Sequence, residues 1–587
     1  LTIRCMSFFK SFFASCLGTL VALVVLIFLS FVFLASLTAE NVVVIQENSV
    51  LHLKLDKPIA ELELEDPLAD VFPGSVSENL GLVQLKQSIK AAKTDSNIEG
   101  IYLNATYVMG GFATLKELRA ALIDFRESGK WVVAYSDYYT EGAYYLATAA
   151  DKVYMNPEGQ VELNGLEVEV NFFKKLFDKL EVKPEIFRVG DFKSAVEPFI
   201  REDLSDENRL QLSELIRSVY GEMLTDMAES RGIEREKLEE ISNKMLVRNA
   251  QQALEYKLVD SLYYDDQVKD ELRDRLGVES NKTIRFAQYS DYRQSLPAAS
   301  TSKNEIAVIV ADGDIMPGKA DQGVVGSVTI REAIRKARTS DRVKAIVIRV
   351  NSPGGAFQAA DEMWREVYLA SQEKPVIASM GDYAASGGYY LAMACDTIVA
   401  QPTTITGSIG VFSVMFDLSS FLDHKVGVTS EQVKTGEIGD LITVTRPLTS
   451  VEKEIWQKQT DEIYETFTRK AAEGRHMSQD DLKKVASGRV WSGAQAKERG
   501  LVDVLGSFDD AVQLAADKAG VSEDYKLRYY PKQKNFLERL MNDYEDETKA
   551  AWMRNELGEY STAVEQWQKI KTYQGTQARM PFELIIR

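Results

Sequence analysis

The residues best suited to chemistry lie in Gly381-Asp-Tyr-Ala-Ala-Ser386-Gly-Gly-Tyr-Tyr390. An apolar run, Pro375-Val-Ile-Ala-Ser-Met380, leads in as a strand, and Leu391-Ala-Met-Ala-Cys395 leads out as a helix. A serine at such a turn, among neighbours with almost no side chain, suits nucleophilic acyl transfer. A carbonyl can approach closely, and the free N–H groups at the helix start can hold an oxyanion. The same stretch also fits a tight turn in which Ser386 only N-caps the helix. A second glycine site, Asn351-Ser-Pro-Gly354-Gly355, ends the strand-like run Val343–Val350. A glycine pair there lets backbone approach a ligand and aim an N–H at it. The backbone of Gly354 and Gly355, with that of Ser386 and Gly387, is therefore a candidate oxyanion hole. The plain alternative is an ordinary type II turn.

A nucleophilic serine needs a base. The chain has three histidines, His52, His424 and His476. Only His424, in Asp423-His-Lys-Val-Gly427, is a plausible triad member, because His52 reads as part of a strand near the amino-terminal end and His476 as part of a polar loop. Lysine is the competing choice. Phe187-Arg-Val-Gly-Asp-Phe-Lys193-Ser-Ala-Val-Glu-Pro-Phe199 sets Lys193 among apolar residues after a strand. A lysine with its reference pKa of about 10.4 is almost fully protonated at pH 7, so a lysine base there needs its ammonium destabilised by roughly 4–5 kcal/mol. Burial produces shifts of that size, and Phe187, Phe192 and Phe199 are candidates for the lining of a dry groove. Ser408, in Ile405-Thr-Gly-Ser-Ile-Gly410, is a candidate to orient the amine. Taken alone, Lys193 reads equally as a solvated surface lysine.

These residues sit in a chain that repeats itself at a spacing of about 245 residues. Leu85-Lys-Gln-Ser-Ile-Lys-Ala-Ala-Lys-Thr94 matches Ile330-Arg-Glu-Ala-Ile-Arg-Lys-Ala-Arg-Thr339, and Tyr144-Tyr-Leu-Ala-Thr-Ala-Ala-Asp151 matches Tyr389-Tyr-Leu-Ala-Met-Ala-Cys-Asp396. Continuous apolar runs alternate with helical periodicity in each half, which predicts two α/β domains with buried parallel strands. The expected divisions are 45–294 for the first domain, 295–304 for a small, polar, proline-containing linker, and 305–531 for the second. A charged extension over 532–587 has no repeat partner and reads as a docking arm or a surface helix. Helices are expected over Ser205–Arg231 and Ser450–Glu473.

The halves differ where chemistry would occur. Ser386 aligns with Glu141, Gly387 with Gly142 and Gly388 with Ala143, so the turn is expected in both halves but the hydroxyl in one. A cap needed only for structure would more plausibly stay Ser, Thr or Asp in both. Lys193 in turn aligns with Gly439. One half offers a serine and the other a lysine.

With 587 residues, 45% hydrophobic and 27% charged, the composition is that of a folded multidomain protein, and the net charge of −19 argues against nucleic acid as a partner. Cys5, Cys16 and Cys395 make no disulfide framework. There is no Walker motif, zinc-ligand cluster or dinucleotide fingerprint, so the chemistry calls for no metal and no cofactor. Residues 12–37 carry no charge, and twenty-six helical residues at about 1.5 Å span roughly 39 Å, enough for a transmembrane anchor. Arg4 and Lys10 precede the run, which keeps residues 1–11 cytoplasmic and sends the remainder across the membrane. A cleaved signal peptide ending near Ala39 is the competing reading. The chain begins with Leu1 and Met6 precedes a complete anchor, so residues 1–5 need not be native.

Together, Phe192-Lys193-Ser-Ala-Val-Glu-Pro-Phe199, Asn351-Ser-Pro-Gly-Gly355, Ala385-Ser386-Gly-Gly-Tyr-Tyr390 and Thr406-Gly-Ser408-Ile-Gly410 make the chain resemble the long, duplicated form of signal peptide peptidase A (protease IV), a bacterial family of membrane-anchored serine proteases. The resemblance implies two tandem domains of the α/β spiral fold shared with Clp protease and crotonase. It also implies a Ser–Lys dyad with Ser386 as nucleophile and Lys193 as general base, and a homotetramer on the periplasmic side of the inner membrane. The implied substrates are signal peptides and other extended apolar peptides. A crotonase-type acyl-CoA enzyme and a non-catalytic membrane scaffold of the same fold are the alternatives.

Overall fold

The computed structural model describes residues 44–63, 79–297, 301–320, 323–531 and 575–580, with parts of a helix between 12 and 29. Among the described residues no helix is long and apolar enough to cross a membrane, and of the expected anchor over 12–37 the described residues include only parts between 12 and 29.

The first half is built on a parallel sheet and the second on a mainly parallel one with an antiparallel edge strand. The first half contributes β1 (Ser49–Lys54), β4 (Ile98–Asn104), β5 (Trp131–Tyr139), β6 (Lys152–Val161), β8 (Ser261–Leu262) and β9 (Arg285–Gln288), in the order β8-β6-β5-β4-β1-β9. A small two-stranded sheet, β2 (Ile59–Ala60) with β3 (Leu80–Gly81), precedes its first helix. The second half contributes β10 (Glu305–Asp312), β13 (Val343–Ser352), β15 (Val376–Ala385), β17 (Ile405–Gly407), β19 (Val490–Ser492) and β21 (Lys526–Tyr530). Their order is β19-β17-β15-β13-β10-β21, with β16 (Thr397–Ala400) and β20 (Val504–Leu505) branching from β15. Strand β13 is apolar on both faces because both are covered: Ala345, Ile346, Val347, Ile348 and Val350 are all buried. The expected long helices form as Asp206–Arg231, capped by Ser205 on the Asn208 N–H, and Ser450–Arg475, capped by a Thr449–Glu452 box.

A third sheet joins the halves. Its members are β7 (Lys183–Val189), β11 (Asp314–Met316), β12 (Val324–Gly326), β14 (Gly354–Ala356), β18 (Val411–Asp417) and β22 (Gly575–Arg579), in the order β12-β11-β14-β22-β18-β7. Strand β7 belongs to the first half and pairs antiparallel with β18 of the second over seven residues, from Val411 opposite Val189 to Asp417 opposite Lys183. Strand β22 departs from the expectation of an arm or a surface helix for the tail: 575–579 is a strand between β14 and β18.

Buried polar contacts lock the halves together. Arg349, at the middle of β13, is fully enclosed, with Glu61 at 2.8 Å and Glu117 at 3.0 Å. Burial alone would raise Glu117, but the charges of Arg349 and Lys86 outweigh it and hold the carboxyl at about 2. Asp382 accepts from the N–H and the hydroxyl of Thr114 at 2.9 and 2.6 Å. The halves are therefore one packed body where the site forms.

Candidate active site

The β7–β18 ladder decides which residues meet. Lys193 lies four residues beyond Val189 at the end of β7, and Ser408 and Gly410 lie just before Val411 at the start of β18. Because the strands are antiparallel, these two ends coincide. Strand β15 then runs to Ala385, five residues further than the apolar run suggested, and delivers Ser386 to the same point. The helix after it is Gly387–Ala392, starting earlier than expected.

Ser386 sits at the N-cap position but makes no side-chain cap. Its backbone is strained, with φ 54° and ψ −110°, a conformation that a non-glycine residue holds only when its surroundings impose it. The fixing contacts are its N–H to the Gly407 carbonyl at 2.8 Å and its own carbonyl accepting from Tyr390 N–H at 2.8 Å. The expectation that both halves share this turn is corrected. In the first half Thr140, with φ −66° and ψ 162°, is an ordinary N-cap residue, and Glu141 is the first residue of the helix. Glu141 is buried, its carboxylate accepts from Gly165 N–H at 3.0 Å, and burial raises it to about 7. The geometric reason lies at Gly388, where a Cβ would meet the Ser352 carbonyl at 2.6 Å. Ala143, which carries a Cβ, holds the matching place in the first half.

Lys193 Nζ stands 2.8 Å from Ser386 Oγ, 3.0 Å from Ser408 Oγ and 3.1 Å from the Ser408 carbonyl. Lys193, Ser386 and Ser408 are all completely buried. The three partners of the amine are neutral, so nothing offsets the loss of water, and burial pushes Lys193 well below the ordinary lysine range. A neutral amine has two N–H donors and one lone pair. The donors match the two Ser408 oxygens, and the lone pair faces the Ser386 hydroxyl. That arrangement can take the hydroxyl proton as the oxygen attacks.

The seal around the lysine differs from the expected aromatic lining. Phe187 packs with Met415, Leu448 and Trp456, and Phe199 with Phe177, Phe412 and Phe416, in separate clusters. Backbone lies directly on the lysine stem: a Cβ on Gly488 would fall 2.6 Å from Lys193 Cβ, and one on Gly410 would fall 3.3 Å from its Cδ. Gly488 escapes a reading of the sequence; its one signal is the small-residue run Ala486-Ser-Gly488 before a strand. Backbone can close in where side chains cannot, and it excludes water more completely.

The two glycine sites do meet. A Cβ on Gly354 would lie 2.8 Å from Gly387 N, and one on Gly387 would lie 3.2 Å from Gly355 N. The Gly354 N–H itself donates to Ser352 Oγ at 3.2 Å. Gly354 has φ 106°, a conformation open to glycine at little cost, and it begins strand β14 rather than closing an isolated turn. This junction brings the backbone of Gly354, Gly355 and Gly387 together directly after Ser386.

No histidine joins the site. His424 lies on the surface with its Nδ1 2.5 Å from Glu181, His52 stacks on Tyr102, and His476 is a helix C-cap. Gly439 sits in an exposed loop. Among the described residues no grouping of three or more His, Cys, Asp and Glu side chains could hold a metal ion.

Residues 124–279 and 369–522, one stretch in each half, match peptidase family S49. The chain is 35% identical to the chloroplastic serine protease SPPA of Arabidopsis thaliana, over 80% of this chain and 70% of that one. It is 36% identical to Protease 4 of Salmonella typhi, over 86% of this chain and 82% of the relative. Among solved structures, a ClpP1 mutant from Listeria monocytogenes is 17% identical, covering 35% of this chain and 94% of that one at a TM-score of 0.24. The matched stretches, the near full-length identity and the duplicated α/β fold lead to one conclusion: the chain belongs to peptidase family S49 and is a serine-type peptidase.

Proposed function

We propose that Ser386 and Lys193 form a Ser–Lys dyad that cleaves extended apolar peptides, released signal peptides among them. The observation that carries the reading is the 2.8 Å approach of Lys193 Nζ to Ser386 Oγ inside a fully buried pocket with no acid beside the amine. Ser386 Oγ attacks the scissile carbonyl carbon and its proton passes to Nζ. Backbone N–H groups of Gly387 and Gly355 hold the oxyanion. The tetrahedral adduct collapses, the C–N bond breaks, and the Lys193 ammonium returns the proton to the leaving amine. Water then attacks the acyl-enzyme as Lys193 takes its proton; the ester bond to Ser386 Oγ breaks, Lys193 returns the proton to Oγ, and the acid is released. Ser408 acts as a positioning residue for Nζ.

The reading places the dyad within one chain, since the partners meet through the β7–β18 pairing. It also includes an anchor over 12–37, catalytic domains on the periplasmic side of a bacterial inner membrane, and a homotetramer. The uncharged run after Lys10 supports the anchor, and membrane fractionation of the full chain tests it. For the chemistry, Ser386→Ala and Lys193→Ala should each reduce kcat on a fluorogenic peptide by at least about a thousandfold, whereas His424→Ala should stay within twofold. An active Lys193→Ala enzyme with an inactive His424→Ala enzyme would replace the dyad with a triad.

A further inference from the structure

Strand β22 lies between two strand edges that end at the dyad, a position that suits an extended peptide. Without it, β14 and β18 would face each other across a gap one strand wide, about 10 Å from two spacings of roughly 4.8 Å. Both walls of this slot lead straight to the dyad: Gly354 of β14 touches Gly387, and the carbonyl oxygen of Gly410, just before β18, lies 3.4 Å from Ser386 Oγ. Binding there is strand addition on two edges at once, a mode that holds a peptide chiefly by its backbone.

The chain fills this slot with residues 575–580. Arg579, Ala578 and Gln577 lie opposite Gly354, Gly355 and Ala356, while Gln577, Thr576 and Gly575 lie opposite Phe412, Ser413 and Val414. Met580 N–H donates to the Pro353 carbonyl at 2.8 Å, Thr576 and Ser413 hydroxyls meet at 2.9 Å, and Arg579 pairs with Asp314 at 2.8 Å. Ala578 is fully buried, and Gln577, Arg579 and Met580 nearly so. The Ala578 carbonyl oxygen comes to the glycine junction itself, 2.1 Å from where a Cβ on Gly354 would be and 3.0 Å from one on Gly387.

We propose that residues 575–580 are a built-in competitor for the peptide slot, so that a substrate gains the dyad only when this strand is displaced. The inference rests on the dyad reading for its link to catalysis, but not for the occupancy of the slot. An intramolecular competitor lowers the fraction of competent molecules, which raises the apparent KM and leaves kcat alone. Two substitutions in the full chain weaken the strand without touching the dyad. Arg579→Glu sets a carboxylate beside Asp314, and Ala578→Asp buries a charge. Either should lower KM for a short fluorogenic peptide by about tenfold or more at unchanged kcat. A KM within twofold of the parent in both variants overturns the proposal. A second readout needs no catalysis. A fluorescein-labelled Gly-Thr-Gln-Ala-Arg-Met peptide should bind the Ser386→Ala chain at least tenfold more tightly when Arg579→Glu is also present, by anisotropy. Equal binding overturns the proposal even if the dyad reading holds. Tighter binding together with undiminished activity of Ser386→Ala would overturn the dyad and leave the competitor standing.

Discussion

Replacing Lys193 by methionine tests the state of the amine, on which the chemistry depends. The two side chains are similar in length, and the pocket around the stem is sealed by backbone at Gly410 and Gly488, so Lys193→Met should be accommodated. In the folded protein burial pushes the amine well below its ordinary range; in the unfolded chain it returns to a value of about 10.4. Between those two values the unfolded state binds the extra proton, so the stability of the parent rises with pH. The slope is about 1.4 kcal/mol per pH unit, and methionine contributes none of it. For a domain of about 150–250 residues each kcal/mol moves Tm by roughly 2–4 °C. The Tm difference between parent and Lys193→Met should therefore shift in favour of the parent by roughly 3–5 °C per unit just below the ordinary lysine range. Both proteins would carry Ser386→Ala to prevent self-digestion, and scanning fluorimetry at pH 7.5, 8.5 and 9.5 would follow them. In that background methionine loses the two amine contacts to Ser408, a constant offset that leaves the slope unaltered. Parallel Tm curves would refute the reasoning, because they would mean that the buried lysine keeps its proton.

In the active enzyme, log kcat/KM should climb with slope one on the acid side, since protonating Nζ removes the base; a flat acid limb would show that another group serves. Ser408→Ala removes one of the two oxygens that orient the amine and should lower kcat about 10–100-fold with little change in KM, while Ser408→Thr should recover part of it. Gly354→Ala places a Cβ 2.1 Å from the Ala578 oxygen and 2.8 Å from Gly387 N at φ 106°, and should abolish peptide cleavage and cost roughly 1–3 kcal/mol in urea unfolding. Arg349→Met leaves Glu61 and Glu117 buried without their shared cation, so a loss of about 3–5 kcal/mol is expected by the same assay; a loss under 1 kcal/mol would show that the network is incidental.

Much of the site was legible because the chain carries its own control. Comparing Ser386 with Glu141 and Lys193 with Gly439 pointed to two residues whose sequence separation of 193 gives no local hint of contact. Helix limits at Ser205 and Thr449 were legible because a cap is a matter of three or four neighbouring residues. The aromatic lining expected for Lys193 fails for the converse reason. Phe187 and Phe199 flank it in sequence, but alternation along β7 and the turn after it send them to other clusters.

What the sequence determined by itself was the duplicated α/β plan and the choice of candidate reactive side chains, since both rest on residue types and on periodicities read within a few positions. Tertiary structure decided three further things. The pairing of β7 with β18 put the lysine of one half on the serine of the other. The close approach of glycine backbone at Gly410 and Gly488 dried the amine. The insertion of 575–579 between β14 and β18 closed the slot beside them. Each depends on which strand edges and backbone surfaces lie open once both domains have folded. Hydrogen bonds of a sheet edge are made by groups common to nearly every residue, so no local pattern announces their partner.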